Sequence, residues 1–483
     1  MLRNWKNLLA GAALLVVAPL ASAFTLLGPG GAEGITIKDW QLPAQNQNWD
    51  IGYNLPGDIG SPVSFGEFYR WNTPIITYAF DSSFVTYFGK PGMAAVDAAM
   101  RILNGVPHTT KMSEDLSEFP LNSAQLNYEA AQLGLVDLKS SVLSLMLGQM
   151  GLGDPIRWSY GIRQRINLPD DFGDYSVTRF NYDPVTAAPS SYVNGTLWTY
   201  SIFEIPPPVM FADAVEELPG PLNNEVVNYP VAVNSFVSRP YVNEYRPLLS
   251  GYYFTSLTRD DMGGIRYLLR PRNTVIEPLL PDIQPGGGHV WSPFLTNNIL
   301  TNGVLGTNGS TGLRKGLGKI RFRKVIAYQT PFKPVRYVYD DAFVDSLGFD
   351  RKQSVVRTIT TPDITFAAAD IYPAPFAQTS TAGWTDNDTL NGVSTVGGPG
   401  IITPPIVFTF NNTPRIVRNA TPFFVAEPLL TDTNSRANGL IGSVWASFDG
   451  TTNAPVIYPI NPFGQNDITY DQLRKFAEGN PLR

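Results

Sequence analysis

The stretch Leu135–Pro155, LVDLKSSVLSLMLGQMGLGDP, decides how the chain is read. Leu138, Val142, Leu145, Met146 and Gln149 recur at intervals of three and four, which predicts a helix buried along one broad face. Asp137 is placed to cap its start. Gly151, Gly153 and Pro155 supply the residues that end it.

The same residues resemble the active-site helix of the matrixins, zinc endopeptidases of the metzincin clan, which carries HExxHxxGxxH. Leu147 and Gly148 occupy the usual L-G slots. The resemblance places the first zinc-binding His at Leu145, the general-base Glu at Met146 and the second His at Gln149. The third His falls near Asp154, after a one-residue shortening that puts Gly151 in the glycine slot. A zinc peptidase needs imidazoles four apart on one helical face, and a carboxylate to take a proton from the metal-bound water. Leucine and methionine do neither. The whole chain has 2 histidines, His108 and His289, too few for a three-His site. The sequence therefore predicts a degenerate matrixin-like domain in which matrixin-type zinc catalysis is lost.

Two further stretches carry the resemblance. Ile75–Phe80 (IITYAF) alternates and is rich in β-branched and aromatic residues, which predicts a strand. A helix is expected from Pro91 to about Leu103, with Met93, Val96, Met100 and Leu103 on its apolar face and Asn104-Gly105 stopping it. A strand and helix of this kind are how matrixin-like domains begin. Leu257–Arg270 (LTRDDMGGIRYLLR) is similar to the helix that closes such domains, L-x-x-D-D-x-x-G-I-x-x-L. Thr258 with Asp261 three residues on forms a capping box, and Asp260 and Asp261 suit the positive end of the helix dipole. Ile265, Leu268 and Leu269 should pack inward. The resemblance also implies a methionine turn just before this helix, where Pro247–Tyr253 offers Leu248 or Leu249 instead. It covers roughly Gly57–Arg272.

A chain of 483 residues has room for two or more cores. Arg3 and Lys6, the apolar run Leu8–Leu20 and Ala21-Ser22-Ala23 read as a secretory signal at 1–23, cut before Phe24. No later stretch is apolar and long enough to span a membrane. Cysteine is absent, which removes thiol chemistry and disulfides. The net charge of −6, without a large basic stripe, argues against nucleic acid as a partner. The expected layout is an extended lead-in at 24–72, the matrixin-like domain at 73–272 and a linker at 273–289. An all-β, sandwich-like domain should follow at 290–483, since short alternating runs there are separated by Asn-Gly and Asp-Gly turns. The predicted fold class is thus an α/β (α+β) metzincin-like domain with a twisted mixed sheet, then a β-sandwich-like domain. A proline-rich insertion is expected at about 156–243, with strands or strand-like loops at Leu197–Ile205 and Val231–Val237, covering the former cleft.

The remaining candidates are weaker. His108 lies just past a helix end and His289 in GGGHVW at the expected junction, and both read first as structural. Asp386, Asp388 and Asn391 (TDNDTLNG) could hold a Ca²⁺, although full EF-hand spacing is missing. Asp170, Asp171 and Asp174 are a similar case. Arg314, Lys315, Lys319, Arg321, Arg323 and Lys324 form the one basic cluster, with Arg321 and Arg323 on one strand face. It reads as a solvated sheet face, or as a surface for an acidic partner. Trp40, Trp49, Tyr252 and Tyr253 read as core. The function expected is that of a secreted, catalytically inactive metallopeptidase-like protein with a binding or structural role, its partner an extracellular protein or polysaccharide. Alternatives are a self-assembling subunit of an extracellular or envelope layer, and a hydrolase that uses no zinc. No cofactor is expected apart from the calcium candidate.

Overall fold

The computed structural model describes residues 23–26, 50–51, 74–80, 82–153, 155–156, 159–166, 174–205, 211–218, 228–232, 250–273, 275–278, 311–325, 335–344, 350–359, 362–366, 389–390, 393–394, 415–418, 424–427 and 444–458. Over these residues the protein is a mixed α/β structure of several small sheets, none closed into a barrel.

β1 (Phe24–Leu26) is buried along its whole length. It is the middle strand of three, antiparallel to Leu152–Gly153 on one side and Asn181–Tyr182 on the other. β2 (Ile75–Phe80) is the expected strand and is followed by α1 (Ser82–Gly105), two helices joined across a kink, the second of which is the one expected from Pro91. Gly89 breaks α1 with φ 58 and ψ −161, a backbone conformation that glycine adopts without a steric penalty. The added first part buries Phe84 and Phe88, whose rings lie 4.6 Å apart, and Phe84 stacks on Phe80 at 4.8 Å. Beyond the break, Val96, Met100 and Leu103 are buried and Met93 is half-buried.

The short α2 (Tyr128–Gln132) and β3 (Leu135–Asp137) deliver the chain to α3 (Leu138–Gln149). Asp137 caps α3, accepting from the Ser140 amide at 2.9 Å and the Ser140 hydroxyl at 2.5 Å. Gly151, at φ 102, turns the chain out of the helix, as the sequence led us to expect. Among the described residues, the proline-rich region after α3 holds three hairpins, Gly161–Ile166 with Asp174–Thr178, Tyr192–Val193 with Thr196–Leu197 and Thr199–Ile205 with Phe211–Glu217. It has a small core of its own around Ile156, Phe180, Val193 and Trp198. Val231 and Ala232, expected in a strand, lie outside any strand.

Tyr252–Phe254 pairs with Ala124–Leu126, and α4 (Arg259–Leu269) follows with Ile265, Leu268 and Leu269 buried. The expected boundary at 273–289 does not separate the hydrogen-bonded layers. β4 (Arg321–Lys324) and β5 (Ile364–Phe366) run parallel to β2 on its two sides. β6 (Val444–Ser447) runs parallel to β3. A buried strand must pair the polar groups on both edges, and for β2 both partners come from far along the chain. One apolar core joins α1, α3 and α4 to Phe322, Ile364, Phe366 and Trp445. Beyond the expected linker, Val335–Val344 and Asp350–Ile359 form a ten-residue antiparallel ladder within a six-stranded sheet.

Candidate functional site

α3 carries three of the four positions at which the resemblance places zinc chemistry, Leu145, Met146 and Gln149; Asp154 lies outside the described residues. The Met146 side chain is fully buried in the main core with Val142, Leu143, Leu147 and Met150. An apolar side chain of that size gains about 1.5–3 kcal/mol from leaving water, so packing holds this face of the helix. Among the described residues, no group of three or more His, Asp or Glu side chains is gathered to hold a metal ion.

The other candidates fall apart spatially or outside the described residues. Asp386, Asp388, Asn391, His289, Asp170, Asp171, Trp40, Trp49, Leu248 and Leu249 all lie outside them, and Asp174 opens a strand. His108 caps the single 3-10 turn Thr109–Lys111, its Nδ1 accepting from the Thr110 amide at 3.3 Å. Its ring also fills the space where a side chain at Gly318 would stand. Tyr253 is buried, edge-on to Phe448 at 6.1 Å, and Tyr252 is half-buried. Arg321 and Arg323 are both exposed on β4, as the alternation required. Three of the basic residues are tied within the chain. Lys315 pairs with Asp350 at 2.6 Å, Lys324 with Asp97 at 2.7 Å, and Lys319 donates to the Asn104 carbonyl at 2.8 Å.

The most elaborate polar arrangement is the first turn of α4, where Thr258, Asp260 and Asp261 are buried to within 1%. Asp260 accepts from the Ala23 amide at 2.8 Å through one oxygen and from the Asn194 amide at 2.7 Å through the other. Asn194 returns both ends of its side-chain amide, donating to Thr258 Oγ1 at 3.0 Å and accepting from the Asp260 amide at 3.2 Å. Asp261 accepts from the amides of Val231 at 3.1 Å, Ala232 at 2.6 Å and Thr258 at 2.7 Å, and from the Thr258 hydroxyl at 2.6 Å. The helix dipole favours negative charge at this end. Even so, burial pushes the Asp261 carboxyl above the usual range against the pull of those donors. On the next turn Arg266 donates to the carbonyls of Ser113, Glu114 and Pro184.

Three remote segments thus converge on the first turn, Ala23 just before β1, the 192–197 hairpin and residues 231–232, and the 113–114 loop joins them on the turn after it. Shut from solvent, these carboxylates fasten chain to chain and present no face to a substrate. The capping box is legible in the sequence, but the use of Asp260 and Asp261 as anchors for distant amides is not. One signal was available. Asn194-Gly195, between Tyr192-Val193 and Thr196-Leu197, is a two-residue hairpin signature, and both residues take positive φ, 44 and 78. Comparison of the chain with protein-family models, curated proteins and solved structures gives no match.

Proposed function

We propose that the chain is an exported, catalytically silent metallopeptidase-like protein that works by binding or by building structure. The observation that carries this reading is the residue set Leu145, Met146 and Gln149 on a capped, buried helix. Hydrocarbon and an amide stand there in place of imidazole and carboxylate. Met146, at 0% exposure, supports it further, because a base that takes a proton from metal-bound water must reach the metal from the helix surface. The buried anchors on α4 support a structural use of the closing helix.

Metal content and peptidase assays test the reading. Purified protein is expected to hold no stoichiometric zinc by elemental mass spectrometry and to leave denatured protein substrates intact. Joint replacement Leu145→His, Met146→Glu, Gln149→His and Asp154→His is expected to restore measurable zinc affinity. A folded quadruple variant without zinc affinity overturns the assignment of these four positions, and chelator-sensitive cleavage by the natural chain overturns the silence.

The ten-residue ladder, its outer edges paired onward only at Phe343–Val344 and at 357–358 among the described residues, with Val338 exposed, favours a second reading, a subunit of an extracellular or envelope layer, because strand edges left unpaired template pairing between copies. Sedimentation of the exported protein separates the two readings: ordered high-mass particles favour the layer and a monodisperse small species removes it.

A further inference from the structure

The expected leader ends in Ala21-Ser22-Ala23, and the bond at which it would be cut, Ala23–Phe24, is one of the least accessible in the fold. Ala23 is 0% exposed and Phe24 3%. Phe24 opens the middle strand of a three-stranded sheet, its ring tilted against Tyr267 at 5.6 Å and Tyr182 at 6.4 Å. Gly263 and Gly264 of α4 lie under the same packing, since a Cβ there would come within 2.5 Å of Pro184 or Leu152 and 3.3–3.4 Å of Phe24. No peptidase can reach a bond held in this way, because cleavage requires a locally extended, exposed chain.

We infer that Ala23–Phe24 is a processing site open only before β1 docks, and that Asp260 is the receptor for the N-terminus the cut creates. This rests on the proposed export of the chain. The step is hydrolysis by a leader peptidase: water adds across the amide, the C–N bond breaks, the leader leaves with the Ala23 carboxylate, and Phe24 keeps a new α-amino group. The cut removes the Ala23 N–H that stands 2.8 Å from Asp260 Oδ1. The new ammonium stands one residue further along an extended strand, a rise of about 3.3 Å from the Ala23 nitrogen, and offers Asp260 a charged donor in place of the amide. Docking of β1 is therefore a step of the processed chain. A precursor that folds first closes around its own cleavage site and keeps its leader.

The test uses full-length protein exported from a secreting host. Intact mass should place the N-terminus at Phe24; any other terminus shows that the reading of the leader is wrong, separately from the pairing. On the Phe24 chain, an amine-reactive acylating reagent at neutral pH should label the α-amino group at least about tenfold more slowly than in urea, the change expected from one pKa unit of added proton retention. Asp260→Asn should lower the pH midpoint of that labelling toward the unfolded value, and if this variant does not fold, the midpoint of the folded wild type decides: one raised above that of the urea-unfolded chain is expected, and one not raised overturns the pairing. Equal labelling rates in folded and unfolded wild type overturn the pairing. Precursor refolded with its leader attached should resist leader peptidase that cuts the unfolded precursor, and equal cleavage of both overturns the order of events.

Discussion

Asp363 ties together two segments that the sequence assigns to different domains, which makes it the most informative single residue to remove. Its carboxylate accepts from the Thr77 amide at 2.7 Å and the Thr77 hydroxyl at 3.0 Å, and its own amide donates back to that hydroxyl at 3.0 Å. Both residues are 0% exposed, so no water replaces a lost partner. In Asp363→Ala the Thr77 amide is stranded, at about 1–3 kcal/mol, and a charge-assisted bond of about 1.5–3 kcal/mol goes with it. The expected loss is therefore about 2.5–6 kcal/mol, a large part of the stability of an ordinary domain. Urea unfolding of the full chain measures the loss, and amide exchange at Ile76–Ala79 locates it. In a shared core, both edges of β2 lose protection together with β5. A loss below about 0.5 kcal/mol, the range of an ordinary surface substitution, refutes the account. So does a loss confined to residues after 290 while β2 keeps its protection.

Two other perturbations read the junctions around α3 and α4. Burial raises the Asp137 carboxyl above its ordinary range, against the pull of Lys139 and the Ser140 donors. Between the ordinary value and the raised one, the folded chain holds a proton that the unfolded chain has released. The contribution of Asp137 is thus fully present below about pH 4 and is lost as pH rises through the folded value. Asp137→Asn, neutral throughout and still able to cap Ser140, should flatten that segment of the stability–pH curve; urea midpoints that keep the wild-type slope refute it. Gly251 takes φ 83, and a Cβ there would lie 2.5–2.6 Å from Ala131. Gly251→Ala should therefore cost at least about 1–3 kcal/mol in strain alone, measured as a fall in thermal midpoint, and an unchanged midpoint would show that the turn relaxes.

What the sequence made legible was local. The bounds of α3, its Asp137 cap, the Gly151 stop, the β2 strand and the Thr258–Asp261 box all follow from interactions within a few residues, and so they could be read from spacing. The helix expected from Pro91 lies just past Gly89, whose non-helical backbone separates it from an earlier helix, starting at Ser82, that the spacing did not reveal. The partners of β2 and β3 were missed for a different reason. Phe322 and Ile364 alternate as buried strand residues in any sheet, and nothing in their spacing names the strand beside them. The composition shift after Pro271 looked like a domain boundary, although β4, β5 and β6 carry the chain back into the earlier layers. The site divides in the same way: the identities at Leu145, Met146 and Gln149 are read directly, whereas the recruitment of Ala23, Asn194 and Val231 by α4 depends on pairings at long range.

α3 is held in place by interactions that need no metal ion. A helix that owes its position to zinc loses that position with the ligands, because metal binding and folding are one free energy. α3 is fixed at its start by other means. Asp137 both caps the helix and belongs to β3, which β6 pairs in parallel. The Ser140 hydroxyl donates to Asp137 and accepts from the Phe254 amide at 2.7 Å, which fastens the first turn to the strand leading into α4. Toward its end, Met146, Leu147 and Met150 are buried against the same core as α1 and α4. Apart from Met146, which stands at the general-base position, each tie is made by residues other than those at which the resemblance places zinc chemistry. On the proposed reading, the frame of the helix stands without zinc chemistry because these ties do not depend on it.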